Sequence, residues 1–209
     1  MVALPTNVEQ VQQIVRICRR HSVPVVARGS GTGLSGGALP VAGGLLLVLS
    51  RLDRILEVDP RRGLARVQPG VTNLAVSEAA APHGMYYAPD PSSQVACSVG
   101  GNVAENSGGV HCLKYGLTVH NVLAVKLVTM DGELLTLGSE TGEAPGLNLL
   151  GAVIGSEGLL GIVVEVTVRL LPLPRRVELL LAAFDDVGRC ADAVGQQARH
   201  HRHDAREIR

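Results

Sequence analysis

Residues 28–40 read RGSGTGLSGGALP, with Gly31, Gly33 and Gly36 at the spacing GxGxxG. Glycine reaches positive φ without strain and lets a backbone approach a ligand with no side chain in between. A run of this kind can therefore aim successive NH groups at anionic oxygens, and Thr32 and Ser35 add hydroxyl donors. A Rossmann loop would lead directly into a helix and place an acidic residue about 20 positions further on. Here the glycines lead through Pro40, Gly43 and Gly44 to the apolar run 45–49, which reads as a strand. A P-loop is excluded as well, because no Lys with Ser or Thr closes the glycines. What remains is a nest for anionic oxygens or, on this stretch alone, a plain flexible turn.

Two further segments carry the same chemistry. GGNVAENSGG sets Gly100, Gly101, Gly108 and Gly109 around Asn102, Glu105 and Asn106, and GSEGLLGI sets Gly155, Gly158 and Gly161 before a strand. Glycine-rich approaches at three distant places imply one extended ligand wrapped by backbone. Other reactive side chains have plainer readings beside the chemical ones. Cys97 is a thiol nucleophile only with a base beside it, and otherwise a small packed side chain. His111 and His120 read as acids or bases, or as histidines satisfied by backbone. Asp90 and Glu105 can tune a ligand's electronics or cap turns and helices.

The elements that must position these residues are legible in the periodicity. Thr6 with Glu9 forms a capping box, and Val8, Val11, Ile14, Val15 and Cys18 recur at helical spacing up to about Arg20. A short buried strand at 24–27 follows, then a second at GLLLVLS, then ILEVD and LARVQ as a hairpin about 60–63. Thr72 caps a helix through Ala81, broken by Pro82 and Gly84. From Tyr86 to Leu117 no periodicity is visible, and so long an irregular stretch points to a ligand-organised segment. VLAVKLVTM and ELLTLG flank Asp131-Gly132, which suits a type I′ hairpin turn. GIVVEVTVRL alternates as a half-buried strand ended by Pro172 and Pro174, and VELLLAAFDD reads as another strand with a helix start behind it. The end, ARHHRHDAREIR, offers His200, His201 and His203 among arginines, either as a metal-binding or polybasic tail or as an unstructured terminus.

Composition bounds the function. The 209 residues are 46% apolar and 18% charged with zero formal net charge, which suits a globular domain and no basic footprint. Aromatics at 2% and no Trp remove the stacking platforms of nucleic-acid binders. The cysteines, Cys18, Cys97, Cys112 and Cys190, lack CxxC spacing, so free thiols in a reducing compartment are expected and an iron-sulfur cluster on this chain is not. No apolar run reaches the length of about 20 residues that a bilayer crossing requires.

RGSGTGLSGGALP, YAPDPSSQVACSVGGNVAENSGGVHCLKYG and GSEGLLGIVVEVTVRLLPLP, in this order, resemble the FAD-binding domain of the vanillyl-alcohol oxidase and p-cresol methylhydroxylase (PCMH) superfamily. The resemblance is closest to the branch of glycolate oxidase D subunits and FAD-linked D-lactate and D-2-hydroxyacid dehydrogenases. It implies an α+β fold in which a small βαβ subdomain and a larger mixed or antiparallel sheet subdomain with flanking helices clasp FAD. By that likeness residues 1–174 form the FAD-binding domain and residues 175–209 a truncated start of the C-terminal substrate (cap) domain plus the basic tail. Arg28, Gly29, Ser30, Gly31, Thr32, Gly33 and Leu34 would hold the pyrophosphate. Pro91, Ser92, Cys97, Gly100, Gly101, Asn102, Ala104 and Gly108 would lie along the flavin and ribityl chain, and Glu157, Gly161 and Ile162 at the adenosine half. No His stands in the pyrophosphate loop where covalently flavinylated relatives carry one, so FAD is expected to be non-covalent.

The likeness implies hydride transfer from C2 of a 2-hydroxy acid such as glycolate or D-lactate to flavin N5. Substrate-clamping groups, and a divalent metal where relatives hold one, come from the following domain, so no catalytic or metal residue is assigned here. It implies flavoprotein and iron-sulfur partner subunits and a cytoplasmic location, with peripheral attachment at the inner membrane face through those partners. The leading segment of longer relatives is expected to be missing. An alternative expectation is a catalytically silent FAD-binding fragment of a truncated or frameshifted gene. A third, an NADPH-consuming enolpyruvyl-glucosamine reductase on the same flavin fold, is disfavoured by the wording DPSSQVACSVGGNVAENSGG.

Overall fold

The computed structural model describes residues 1–142, 146–176 and 181–204, with side chains described up to residue 196. The first unit consists of β1 (Val2–Ala3), α1 (Val8–Arg20), β2 (Val25–Arg28) and β3 (Leu45–Val48), whose strands form a parallel sheet in the order β1-β3-β2. Val11, Val15 and Cys18 recur every three or four residues, so α1 buries one stripe. The helix starts one residue later than the Thr6–Glu9 capping box predicts. Asn7 Oδ1 accepts from Gln10 N at 2.9 Å, while Gln10 Oε1 turns back to the amide of Thr6 at 2.7 Å. Asn is at least as strong a cap as Thr, and Glu9 still lies in the first turn, where the helix dipole favours it.

The rest of the chain adds β4 (Ile55–Asp59), β5 (Leu64–Val67), α2 (Asn73–Ala80), β6 (Met85–Tyr86), α3 (Val99–Glu105), α4 (Cys112–Tyr115) and α5 (Thr118–Asn121). Then come β7 (Val122–Val128), β8 (Leu134–Gly138), α6 (Leu149–Val153), β9 (Ile162–Arg169), β10 (Leu171–Pro172) and α7 (Val187–Asp204). Five of these strands form an antiparallel sheet in the order β4-β5-β9-β7-β8. Its inner face buries Val67, Val125, Val166 and Val168 against Val76 of α2 and Val99 and Val103 of α3. On the outer face Arg66 meets Glu57 at 2.8 Å and Lys126 meets Glu165 at 3.1 Å across neighbouring strands.

The two sheets share a core. Val128, Ile162 and Val164 of the large sheet pack with Val11 and Val15 of α1 and Leu47 of β3. Gln12 Nε2 and Arg16 Nη2 each donate to the carbonyl of Gly132 at 2.8 Å, and Arg19 pairs with Asp131. These contacts fix α1, and with it the first unit, against the turn between β7 and β8, so the space between the subdomains has a defined shape.

Several expectations are corrected. The stretch from Tyr86 to Leu117 contains α3 and α4. Its periodicity was hidden because α3 carries Gly100 and Gly101, which are poor helix formers. Packing overrides that propensity: a Cβ on Gly100 would lie 2.6 Å from Pro69 Cβ and 3.1 Å from its carbonyl oxygen. The β7-β8 turn is not type I′, since Gly132 has φ +76 while Asp131 stays out of the left-handed region. Gly132 N donates to Thr129 O at 2.9 Å, giving a turn followed by a left-handed glycine, the common three-residue hairpin. Beyond β9 the chain continues into β10, which pairs antiparallel with β6 despite Pro172. In the expected strand VELLLAAFDD, residues 177–180 lie outside the described residues and 181–184 form no strand. α7 follows, with Asp186 Oδ1 accepting from Arg189 N at 2.9 Å, and it carries the tail's backbone as helix to Asp204. The side chains of His200, His201 and His203 lie outside the described residues.

Two predictions follow from this packing. Gly100→Ala improves helix propensity by about 1 kcal/mol, yet overpacking against Pro69 costs about 1–3 kcal/mol; the urea midpoint is expected to fall with an unchanged slope. Tyr87 is 2% exposed, and burial raises its hydroxyl pKa above the ordinary range. The phenol oxygen is buried without a hydrogen-bond partner among the described residues, while Thr118 Oγ1 donates to the Ser107 carbonyl at 2.7 Å. A raised pKa stabilises the fold below the unfolded value of about 10 and loses that contribution as pH climbs through the folded value. Tyr87→Phe should therefore be neutral or stabilising at pH 7 and should reduce the loss of thermal stability above pH 10.

Candidate functional site

Gly29 sits where β2 leaves the small sheet, and Ser98 caps α3 through an Oγ that accepts from Gly101 N at 3.3 Å. A Cβ on Gly29 would lie 2.2 Å from that Oγ, so the capping hydroxyl keeps its place only opposite a glycine. At the other end of α3, Gly155 N donates to Val103 O at 2.8 Å and Glu157 N to Ala104 O at 2.9 Å. The third glycine-rich segment thus satisfies carbonyls that the helix C-terminus leaves open. Glu157 makes this turn with φ +52, a conformation that strains a non-glycine residue and recurs at ligand sites.

These contacts bring all three segments around one crevice. It has a volume of about 420 Å³ and is walled by residues 29–35, by Ser92, Cys97 and α3, and by Glu157. A smaller hollow of about 70 Å³ adjoins it, sharing Gly29, Ser98, Gly101, Ala104 and Glu157 with the crevice. Of the residues expected to contact a ligand, Ser30, Gly31, Thr32, Gly33, Leu34, Ser92, Cys97 and Asn102 line the crevice. Arg28, Gly100, Gly161 and Ile162 line the hollow, and Gly29, Gly101, Ala104 and Glu157 line both. Pro91 and Gly108 line neither: the Pro91 carbonyl accepts from Gln94 N at 2.8 Å, and a Cβ on Gly108 would lie 2.7 Å from Leu117 Cδ2. Sequence reasoning missed Ser98, whose place as the helix cap before Gly100 and Gly101 was the available signal. It also missed Ala27, Ser93 and Ser107 as lining residues, for which no local signal exists.

The lining has a definite donor character. Arg28 is its one basic side chain among the described residues, and its guanidinium folds beneath the loop where a Cβ on Gly31 would lie. Asn102 is 2% exposed, and its Nδ2 is buried without a hydrogen-bond partner. Leaving such a donor unpaired costs about 1–3 kcal/mol, which a ligand oxygen in the crevice would recover. Cys97 is a buried, free thiol in the same wall.

The two histidines are engaged elsewhere. His120 Nδ1 accepts from Leu117 N at 3.0 Å, the backbone satisfaction that was its plainer reading. His111 Nδ1 lies 2.6 Å from Asp90 Oδ2, beyond the crevice lining. Glu105 accepts from Ser35 across the crevice, and no group of three metal-ligating side chains occurs among the described residues.

Comparison with known proteins agrees with this geometry. A family model described as an FAD binding domain matches residues 1–138. The chain belongs to that family of FAD-binding domains, and its two-subdomain α+β architecture is the PCMH-type fold expected from the motifs. It is 60% identical over 195 residues to the glycolate oxidase subunit GlcD of Escherichia coli K12, covering 93% of this chain and 39% of that protein. It is 37% identical over 200 residues to a D-lactate dehydrogenase of Archaeoglobus fulgidus, covering 95% and 45%. Among solved structures, an alkyldihydroxyacetonephosphate synthase superposes with a TM-score of 0.74 at 27% identity, over 84% of this chain and 32% of that one. The chain thus spans less than half the length of these relatives.

The residues present fit FAD. Glycines whose Cβ atoms would collide with the walls, an orphaned amide donor and a single guanidinium suit a long, diphosphate-linked, oxygen-rich molecule. Replacing Asn102 separates this role from a structural one. Asn102→Leu removes an unsatisfied buried donor, so the thermal midpoint of the ligand-free protein should hold or rise, while FAD affinity in a fluorescence titration should fall about tenfold. A parallel loss of both would mark the residue as structural.

Proposed function

We propose that this chain is the FAD-binding portion of a flavin-dependent 2-hydroxy acid dehydrogenase or oxidase acting on glycolate or D-lactate. The observation that carries the reading is the 60% identity to a glycolate oxidase subunit over 195 residues, together with the convergence of all three glycine-rich segments on one crevice. When bound, FAD would supply the redox chemistry, as the acceptor of a hydride from C2 of the 2-hydroxy acid while a base outside this unit takes the hydroxyl proton. The chain's own residues bind and orient. Backbone amides of residues 29–34 and the Arg28 guanidinium hold the diphosphate. Ser92, Cys97, Gly100, Gly101, Asn102 and Ala104, with Pro91 and Gly108 behind them, position the flavin and ribityl chain. Glu157, Gly161 and Ile162 meet the adenosine half.

Binding is non-covalent in this reading, supported by a glycine-rich loop that offers no His to carry a flavin bond. Residues 1–174 act as the FAD-binding unit, and residues 175–209 lead toward a substrate-binding region. Among the described residues, Arg28 is the one basic side chain lining the crevice and the adjoining hollow, which supports placing the groups that clamp the substrate carboxylate outside this unit. Partner subunits are part of the proposal, on the strength of the relative's name as a subunit. A reducing, cytoplasmic setting rests on free Cys18, Cys97, Cys112 and Cys190. No helix among the described residues is long and apolar enough to cross a membrane.

The purified chain should take up FAD, show a flavin absorption band, and release the flavin intact into the supernatant on acid precipitation. Its turnover of glycolate and D-lactate should be small. Flavin that stays with the precipitate would overturn non-covalent binding, and the absence of any FAD uptake would overturn the whole reading.

A further inference from the structure

The loop at residues 29–44 crosses between the parallel strands β2 and β3 without a helix to stiffen it. Gly31 and Gly36 hold φ +73 and +85, and Leu34 is fully exposed. Within residues 30–38 the one internal backbone hydrogen bond reaching the segment runs from Leu39 N to Gly36 O at 3.0 Å. Among the described residues, the segment's hydrogen bonding to the rest of the protein comes down to a single side chain. Ser35 Oγ lies 3.0 Å from each carboxylate oxygen of Glu105, seventy positions along the chain.

Glu105 ends α3, the helix whose two ends are already fixed by Ser98 and by the turn at Gly155 and Glu157. Its backbone is therefore rigidly mounted, and the hydrogen bond from Ser35 sets where its carboxylate points. The loop backbone comes close to it: a Cβ on Gly33 would lie 3.1 Å from Glu105 Oε1. The middle glycine of the motif thus has a use beyond phosphate approach, since it lets the loop lie against the carboxylate. Fixing a backbone otherwise free to rotate costs conformational entropy, so a loop held before the ligand arrives binds it more tightly.

We propose that Glu105 is a positioning residue which, through Ser35, holds the glycine-rich loop in its anion-binding shape before the cofactor binds. The affinity part of this rests on the FAD-binding reading above, while the ordering of the loop does not. The carboxylate acts through the serine hydroxyl, which it holds at 3.0 Å.

The test uses the whole chain with Ser35→Ala, Glu105→Ala, the double variant and Glu105→Gln. In the FAD-free protein, backbone 15N relaxation at Gly31, Gly33 and Gly36 should report order parameters of about 0.85 for the unaltered chain, falling below about 0.6 in either alanine variant. FAD dissociation constants should rise about three- to tenfold in each single variant, with the double variant no weaker than the singles. Glu105→Gln, which keeps one acceptor oxygen, should fall between. Unchanged order in both alanine variants, or losses that add in the double variant, would overturn the proposal. If the unaltered chain takes up no FAD, the functional reading fails while the relaxation result still decides whether the loop is held by this contact.

Discussion

The glycine-rich loop and Pro69 approach α3 at three places with little or no room for a side chain, and the rest of the site depends on those approaches. Gly29 meets the Ser98 hydroxyl, Gly100 meets Pro69, and Gly33 lies against the Glu105 carboxylate. A β-carbon at the first two would stand 2.2 Å and 2.6 Å from its neighbour, well inside van der Waals contact. Space rather than flexibility explains these glycines, since none of the three has a positive φ. By admitting backbone where side chains would stand, they bring the loop and the helix together around the crevice.

That arrangement needs rigid mounting, and the two cores provide it. Valines of α2, α3, β5, β7 and β9 hold α3 on the large sheet. The second core joins α1 and β3 to the far ends of β7 and β9, so the loop that leaves β2 starts from a fixed point. Gln12 and Arg16 donating to one carbonyl at Gly132 tie the subdomains at a turn far along the chain. The crevice is therefore a gap between two bodies that share a core, and its width is set by packing at some distance from it. Ion pairs on the outer face of the large sheet contribute little by comparison, because exposed pairs are screened and are worth about 0–1 kcal/mol.

Asn102 and Glu157 show what the fold tolerates at the crevice. One leaves a buried amide donor unpaired, and the other holds a left-handed backbone without being glycine. Both are local costs, and both residues line the crevice where a ligand's oxygens would lie. The fold's stability is spread over the valine-rich cores, which leaves room for such strain.

Most strands were legible from local pattern: the alternation of Ile162, Val164, Val166 and Val168, and the stripe of Val11, Val15 and Cys18, each follow from which faces must be hidden. The glycine-rich segments were legible as backbone-donor chemistry, and their order and wording as a family. α3 was not, because Gly100 and Gly101 argue against a helix until Pro69 is seen to occupy the space that side chains would need. The turn at Gly132 and the roles of Ser98, Ser35 and Glu105 were likewise hidden, since each depends on a partner many positions away. By itself, the order of residues determined periodicity, turn chemistry and the supply of amide donors, which are properties of neighbours along the chain. Only the tertiary structure decided which of those donors face one crevice, because that depends on distances across the core that no local pattern encodes.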